Sequence, residues 1–539
     1  MNKLVLVFLL SGFFGKSFAQ CGPGTASMNL DVNNVRARIN NGGDMWWNLV
    51  DSAGYQVPID SSEALWLAGA LWIGGLDQDN QLHVAAQTYR QTGFDFFPGP
   101  LNPGGTTDSS LCNQFDQMWN VYGTEIDSAI AAFNAYGILV PLSMIPQNVL
   151  LWPGKGNPYN LIAGTRDLAP FYDHDMNGLY NPRRGDYPIV GGCGNPVYAD
   201  QMIWWVYNDA GNAHTESGAE PLGIEVQALA YAFATTDCIN DQTFYRYKIF
   251  NRSLNDYHDV YAGVWLDPDM GCYTDDLIGC DTISNLGIAY NTFSTDTPCN
   301  QDNSKMLGVK ILNSLANNSS QRPMSNFMFY NNDFTDFGNP EEAQHYYNYL
   351  QSMFKDATHL TQGGVPTDYA FPDDPTMPTG WSECAQPGTA ADRRIIVSTG
   401  PATLPANAEL VLDFALVWAI AAVDSNAPCP SFDLIKQCAA AVQQLYDEQL
   451  CDNSFVNVND VKTDNALTLF PNPASQTVRL NLTENALVEV FDVHGKRMRS
   501  QQMSSQQNTI DLNGLVQGCY VVKTTAASRT VQRAKLAVQ

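Results

Sequence analysis

Thr243-Phe244-Tyr245-Arg246-Tyr247-Lys248-Ile249-Phe250 alternates: Phe244, Arg246, Lys248 and Phe250 fall on one side of an extended chain, and Tyr245, Tyr247 and Ile249 on the other. Side chains of a strand repeat every two residues, whereas a helix would scatter this set around its axis. Outward from this stretch, short apolar runs separated by Asn, Gly and Pro turn signals recur at 64–73, 224–234, 260–266, 395–398 and 410–422. They predict a mainly β chain with a large β-sandwich-type body. Helices are few. Residues 124–135 carry Ile126, Ile130 and Phe133 at helical spacing, and 340–354 opens with Pro340 and two glutamates, as a helix dipole favours. Residues 431–450 place Phe432, Ile435, Cys438, Val442 and Leu445 on one face behind a capping Ser431.

The N-terminus has Lys3, an apolar run from Leu4 to Phe14, and Ser17-Phe18-Ala19. This is the pattern of a secretory signal peptide over residues 1–19, cleaved after Ala19. The run is about half the ~20 residues a spanning helix needs, and no later stretch supplies a transmembrane segment. Gln20 precedes Cys21 where lipid attachment wants a small residue, which argues against a lipoprotein. The remaining chain is expected to hold a β-rich body at 20–451, as one piece or as two packed subdomains at about 20–200 and 201–451. A polar linker at 452–463 and a small β-sandwich at 464–539 follow.

The formal charge is −27, from 28 basic and 55 acidic residues. Such a surface repels phosphate backbones, so no nucleic acid is expected as a partner. Twelve cysteines in an exported chain suggest disulfides. Cys272 and Cys280 are spaced to close a short loop, and Cys429, Cys438 and Cys451 cluster around the last helix. No CxxC pair suggests zinc.

The tail reads Leu469-Phe470-Pro471-Asn472-Pro473, then Val478-Arg479-Leu480, Val488-Glu489-Val490-Phe491-Asp492-Val493-His494-Gly495-Lys496, Ile510-Asp511-Leu512 and Gly518-Cys519-Tyr520-Val521-Val522. In this order and register it resembles the type A C-terminal sorting domain of type IX secretion substrates, with an Ig-like β-sandwich fold. Cys519 departs from the apolar residue usual there. The resemblance implies the type IX secretion machinery as a partner and a secreted or outer-surface location, the tail often being removed and the body shed or linked to surface polysaccharide. The tail holds 8 basic and 5 acidic residues, so the acidity belongs to the body. Parts of the body, including Gln201-Met202-Ile203-Trp204-Trp205, Asn251-Arg252-Ser253 and Gly380-Trp381-Ser382-Glu383, resemble uncharacterised exported proteins with the same tail. That likeness imports no activity.

Two acidic clusters in the body point to divalent cations. In Asp173-His174-Asp175-Met176-Asn177-Gly178-Leu179, alternating oxygens converge as in the first half of an EF-hand-type loop, with the Leu179 carbonyl as a further ligand. Arg184 stands where such a loop has its bidentate Glu, and Asp186 is the candidate substitute. The second cluster gathers Asp267, Asp269, Asp275, Asp276 and Asp281 at a strand end. Packed carboxylates oppose one another, and a cation would relieve them. Ca2+ is therefore the expected cofactor, in a structural role. The alternative for each is an ion-free turn or a solvated acidic loop.

Trp46, Trp47, Trp204 and Trp205 are candidates for stacking on sugar rings, with core packing as the competing role. HExxH, GxSxG, P-loop and dinucleotide fingerprints are absent. Glu216, Glu225 and Glu383 are available for carboxylate chemistry, but among 55 acids availability discriminates nothing. The expected function is a calcium-stabilised binding or adhesion protein whose ligand is a glycan or surface polymer. Alternatives are a secreted carboxylate-dependent hydrolase of polysaccharide or protein, and a structural surface-layer or filament component.

Overall fold

The computed structural model describes residues 21–538 apart from 51–53, 61–65, 193–194, 272, 293–304, 316–321, 387–390, 422–426, 451–466, 468, 483–484, 492–495, 505–507 and 527–530. The signal peptide, the linker and Cys272 lie outside the described residues. The chain divides into two compact units, Met1–Asn453 and Ser454–Gln539.

The Thr243–Asn251 strand shows why the first unit is layered. It lies inside a sheet whose order runs Leu277–Asp281, Leu286–Tyr290, Lys305–Ile311, Glu409–Ile420, Thr243–Asn251, Ile224–Ala232, Gln201–Asn208 and Phe97–Pro98, all antiparallel. Its Tyr245, Tyr247 and Ile249 face a second sheet, centred on Trp66–Asp77, Tyr257–Asp269 and Arg393–Leu404 with Asn326–Asn331 at its edge. Trp72, Val264, Trp265 and Ile395 of that sheet share one core with Trp205 and Phe414 of the first. Strands from either side of residue 200 interleave in both sheets.

The opposite face of Thr243–Asn251 is also covered. Phe244 packs in a second core with Ile126 of helix Gly123–Tyr136 and Ile435, Cys438 and Val442 of helix Asp433–Leu445. Arg246 is 2% exposed on this face. Its Nε and Nη2 donate to the two Asp413 oxygens at 2.8 and 3.0 Å, and Nη2 also donates to the Leu450 carbonyl at 2.8 Å. A guanidinium can be buried only when paired in this way.

The helix at 340–354 is shorter than its sequence pattern, spanning Ala343–Tyr349. Ser431 stands two residues ahead of its helix and accepts from the Asp433 N–H at 3.2 Å, while Asp374 accepts from the Phe432 N–H at 2.9 Å. Disulfides join Cys21 to Cys112 and Cys384 to Cys429. The expected Cys272–Cys280 closure is not formed: Cys280 is a free thiol, buried inside its strand and donating to the Ala370 carbonyl at 3.3 Å. Cys438 is also free, so around the last helix Cys429 bonds to a loop cysteine instead.

The second unit is a small two-sheet β domain. Its three-stranded sheet holds Leu469–Phe470, Thr477–Leu480 and Thr509–Asp511, and its four-stranded sheet Ala486–Phe491, Arg497–Met503, Gly518–Ala526 and Val531–Val538. Val478, Leu480, Val488, Val490, Ile510, Tyr520, Val522 and Leu536 fill the space between them. Among the described residues no helix is long and apolar enough to cross a membrane.

Candidate functional site

The strand register of the second sheet builds a cleft at one of its ends. Pairing of Leu266 with Ile395 and of Tyr330 with Arg394 brings Asp267, Tyr330 and Arg394 to neighbouring positions, and pairing with the first long strand sets Ala68 opposite Asp267. The loop residues Thr88, Tyr89 and Thr92, Glu216, helix residue Tyr346 and the segment from Asn332 to Glu341 complete a cleft of about 870 Å³. Trp47, Tyr89, Tyr330, Phe334 and Tyr346 give it aromatic walls. Phe334 stands at the surface, 84% exposed, an apolar ring open to solvent at the cleft.

Four carboxylates line the cleft, Glu216, Asp267, Asp269 and Glu341. Glu216 Oε1 accepts from the Thr88 hydroxyl at 2.5 Å and the Tyr346 hydroxyl at 3.2 Å, and Oε2 accepts from Thr92. Burial pushes its carboxyl above the ordinary glutamate range, and the three hydroxyls only partly offset this. Asp267 Oδ2 accepts from the Tyr89 hydroxyl and, at 3.1 Å, from Arg394 Nη2, while Arg394 Nη1 reaches Asp392. Burial raises Asp267 and Asp269, against the pull of Arg394.

Of the acids expected in this second cluster, Asp267 and Asp269 come together with Asp392, one oxygen of each lying within 4.8 Å of the others. Asp276 lies close behind, fully buried, with Oδ1 accepting from the Met270 N–H at 3.0 Å and its acidity weakened by burial and then by Asp269. Asp275 is half-buried outside that trio. Asp281 belongs elsewhere: at the far end of its strand it accepts from the Ser284 N–H at 2.6 Å and faces Lys436 at 3.6 Å. Sequence spacing missed Asp392, Tyr89 and Arg394, and could not single out Glu216 among the available acids; the sheet register and loops deliver them from distant parts of the chain.

The loop cluster is more local. One oxygen each of Asp173, Asp175 and Asp186 lie within 4.8 Å of one another, about the span of two ligands across an ion held at ~2.4 Å. Asp173 accepts from the Asn177 and Gly178 N–H groups, and Asn177 from the Leu179 N–H at 2.8 Å. Gly178 takes φ +75°, the left-handed turn that glycine permits. Asp186, 1% exposed, accepts from the His174 and Asn181 N–H groups at 2.9 and 2.7 Å. Burial lifts it to about 6, with Asp173 and Asp175 adding to the rise. Arg184 closes the loop by donating to Asp175 at 2.8 Å, which holds that carboxyl below its ordinary range. Each carboxylate oxygen keeps a second lone pair after its N–H bond, so the donor set fits a hard cation.

Trp46, Trp204 and Trp205 are core residues, each at most 1% exposed. Of the four tryptophans considered for sugar stacking, only Trp47 reaches the cleft. Glu225 binds Arg252 at 2.9 Å, and Glu383 binds Arg393 and the Ile278 N–H.

No curated protein is detectably similar in sequence. Among solved structures, a polysaccharide lyase aligns over 58% of this chain and 34% of its own length, at 7% identity and a TM-score of 0.18. The chain spans about a third of that structure. Residues 468–539 match the family described as the secretion system C-terminal sorting domain. The chain thus carries a type IX secretion sorting domain and is a secreted or outer-surface protein.

Proposed function

We propose that the exported body binds a glycan in the cleft between Glu216 and Asp267, and that calcium in the Asp173–Asp186 loop stiffens the body. The observation that carries this reading is the cleft itself: aromatic rings, an exposed Phe334 at its rim, and buried oxygens on its floor. Aromatic faces suit the C–H faces of sugar rings, and fixed carboxylates suit their hydroxyls. A pull-down and titration screen of neutral and acidic polysaccharides against the full mature chain tests it. Retention of one class that Phe334→Ala weakens at least tenfold is the expected result; no retained polymer, or retention indifferent to Phe334→Ala and Tyr89→Phe, contradicts it.

A second reading, carboxylate-dependent hydrolysis, draws support from Glu216. Its pKa, raised by burial so that the carboxyl keeps its proton, and its place in the same cleft as Asp267 are what a proton donor and a partner carboxylate require. Release of new reducing ends from a retained polymer, abolished by Glu216→Gln, distinguishes turnover from binding.

A further inference from the structure

We infer that the floor of the cleft holds a divalent cation, ligated by Asp267, Asp269 and Asp392 and open towards the cleft. The three carboxylates offer one oxygen each within 4.8 Å of one another, the spacing that ligands around one calcium-sized ion adopt.

A second observation is independent of their clustering. Asp267 is 7% exposed, and although its Oδ2 serves Tyr89 and Arg394, its Oδ1 is buried without a hydrogen-bond partner. Asp276, fully buried next to Asp269, likewise has Oδ2 without a partner. Asn291, which donates to the Met270 carbonyl at 2.6 Å, leaves its buried Oδ1 unpartnered too. Met270 links the two, because its N–H is the donor to Asp276. Native proteins rarely leave buried oxygens without a donor, and one such oxygen on Asp267 itself, with a second on Asp276 behind it, marks a place where a cation supplies what hydrogen bonds do not.

Charge points the same way. Arg394 contributes one positive charge, shared between Asp267 and Asp392. The trio and Asp276 carry four carboxylates. A doubly charged ion brings the group close to neutrality. The donors are all oxygens, with no histidine or cysteine in the group, which selects a hard ion such as calcium over zinc. Three carboxylates leave several of the 6–8 positions of calcium unfilled. Asp267 and Asp269 line the cleft, so water or the hydroxyl or carboxylate oxygens of a ligand fill them from that side. This last role rests on the binding reading above; the ion site does not.

Calcium binding to the chelator-stripped, full mature chain, measured by equilibrium dialysis without any glycan, tests the site. Asp269→Asn and Asp392→Asn are each expected to bind one ion fewer per chain than the unaltered protein, while Asp281→Asn binds the same number. Equal stoichiometry in all of these overturns the site and leaves glycan binding to be judged on its own. Because Asp392 is paired with Arg394 and its variant can fail to fold, crystals of the unaltered chain soaked in terbium give a second readout. An anomalous peak among Asp267, Asp269 and Asp392 is expected, and its absence overturns the proposal.

Discussion

The two acidic clusters are built from the same residue type and differ in where their oxygens turn for partners. In the Asp173 loop, nearest neighbours in sequence satisfy them: Asp173 takes the N–H groups of Asn177 and Gly178, and Asp175 takes Arg184 at the surface. At the cleft floor Asp267 takes its partners, Tyr89 and Arg394, from remote parts of the chain, and Asp267 Oδ1 and Asp276 Oδ2 have none. A cluster whose oxygens are met by its own loop tolerates loss of an ion; one with buried oxygens left over does not. The difference predicts which cluster governs stability.

The two clusters should differ most when the arginine of each is removed in turn. Arg394→Leu strips the buried Asp267 and the half-buried Asp392 of their cation and is expected to cost about 3–5 kcal/mol in urea unfolding. Arg184→Leu, at a pair whose arginine is 55% exposed, is expected to cost less than about 1 kcal/mol. Equal costs would erase the distinction. Chelator comes next. Each ion held at a hundredfold excess over its dissociation constant contributes about 2.7 kcal/mol, so EGTA is expected to lower the Tm of the unaltered chain. Asp269→Asn should remove more of that response than Asp175→Asn.

Acidity sharpens the loop side. Asp186 is lifted to about 6 in the folded protein, above its unfolded value near 4. A carboxyl raised by folding stabilises fully below the unfolded value and loses that stabilisation as pH rises through 6. In chelator the Tm is therefore expected to fall between about pH 4 and pH 6 by more than it does in Asp186→Asn. Calcium, which favours the ionised form, should shrink that difference. The smallest effect on stability belongs to Phe334→Ala: an 84% exposed ring contributes within about 0.5 kcal/mol, so a loss of ligand binding there cannot be blamed on unfolding.

Legibility in the sequence followed the same division. The alternation of 243–250 revealed a sandwich strand, and the neighbouring runs became long antiparallel strands, because period and turn signals are local. That both faces of this strand are buried was hidden, since Arg246 reads as a solvent-facing residue until Asp413 is brought opposite it by the pairing of the two strands. The tail was legible throughout as a string of motifs. Asp173, Asp175 and Asp186 could be read together because a single loop carries them. The cleft floor could not: Asp392 and Arg394 reach Asp267 only through sheet register, and Asp281, adjacent in sequence, is carried away by its strand. The expected Cys272–Cys280 closure failed for a related reason, as Cys280 points into the core of its strand.

Export is set by the tail and leaves the work to the body, so the decisive measurement is the affinity of a retained polysaccharide for the unaltered chain and for Phe334→Ala, side by side in calcium. A glycan-binding cleft requires binding that weakens at least tenfold on substitution with an unchanged Tm. Binding of equal strength in both proteins would contradict it.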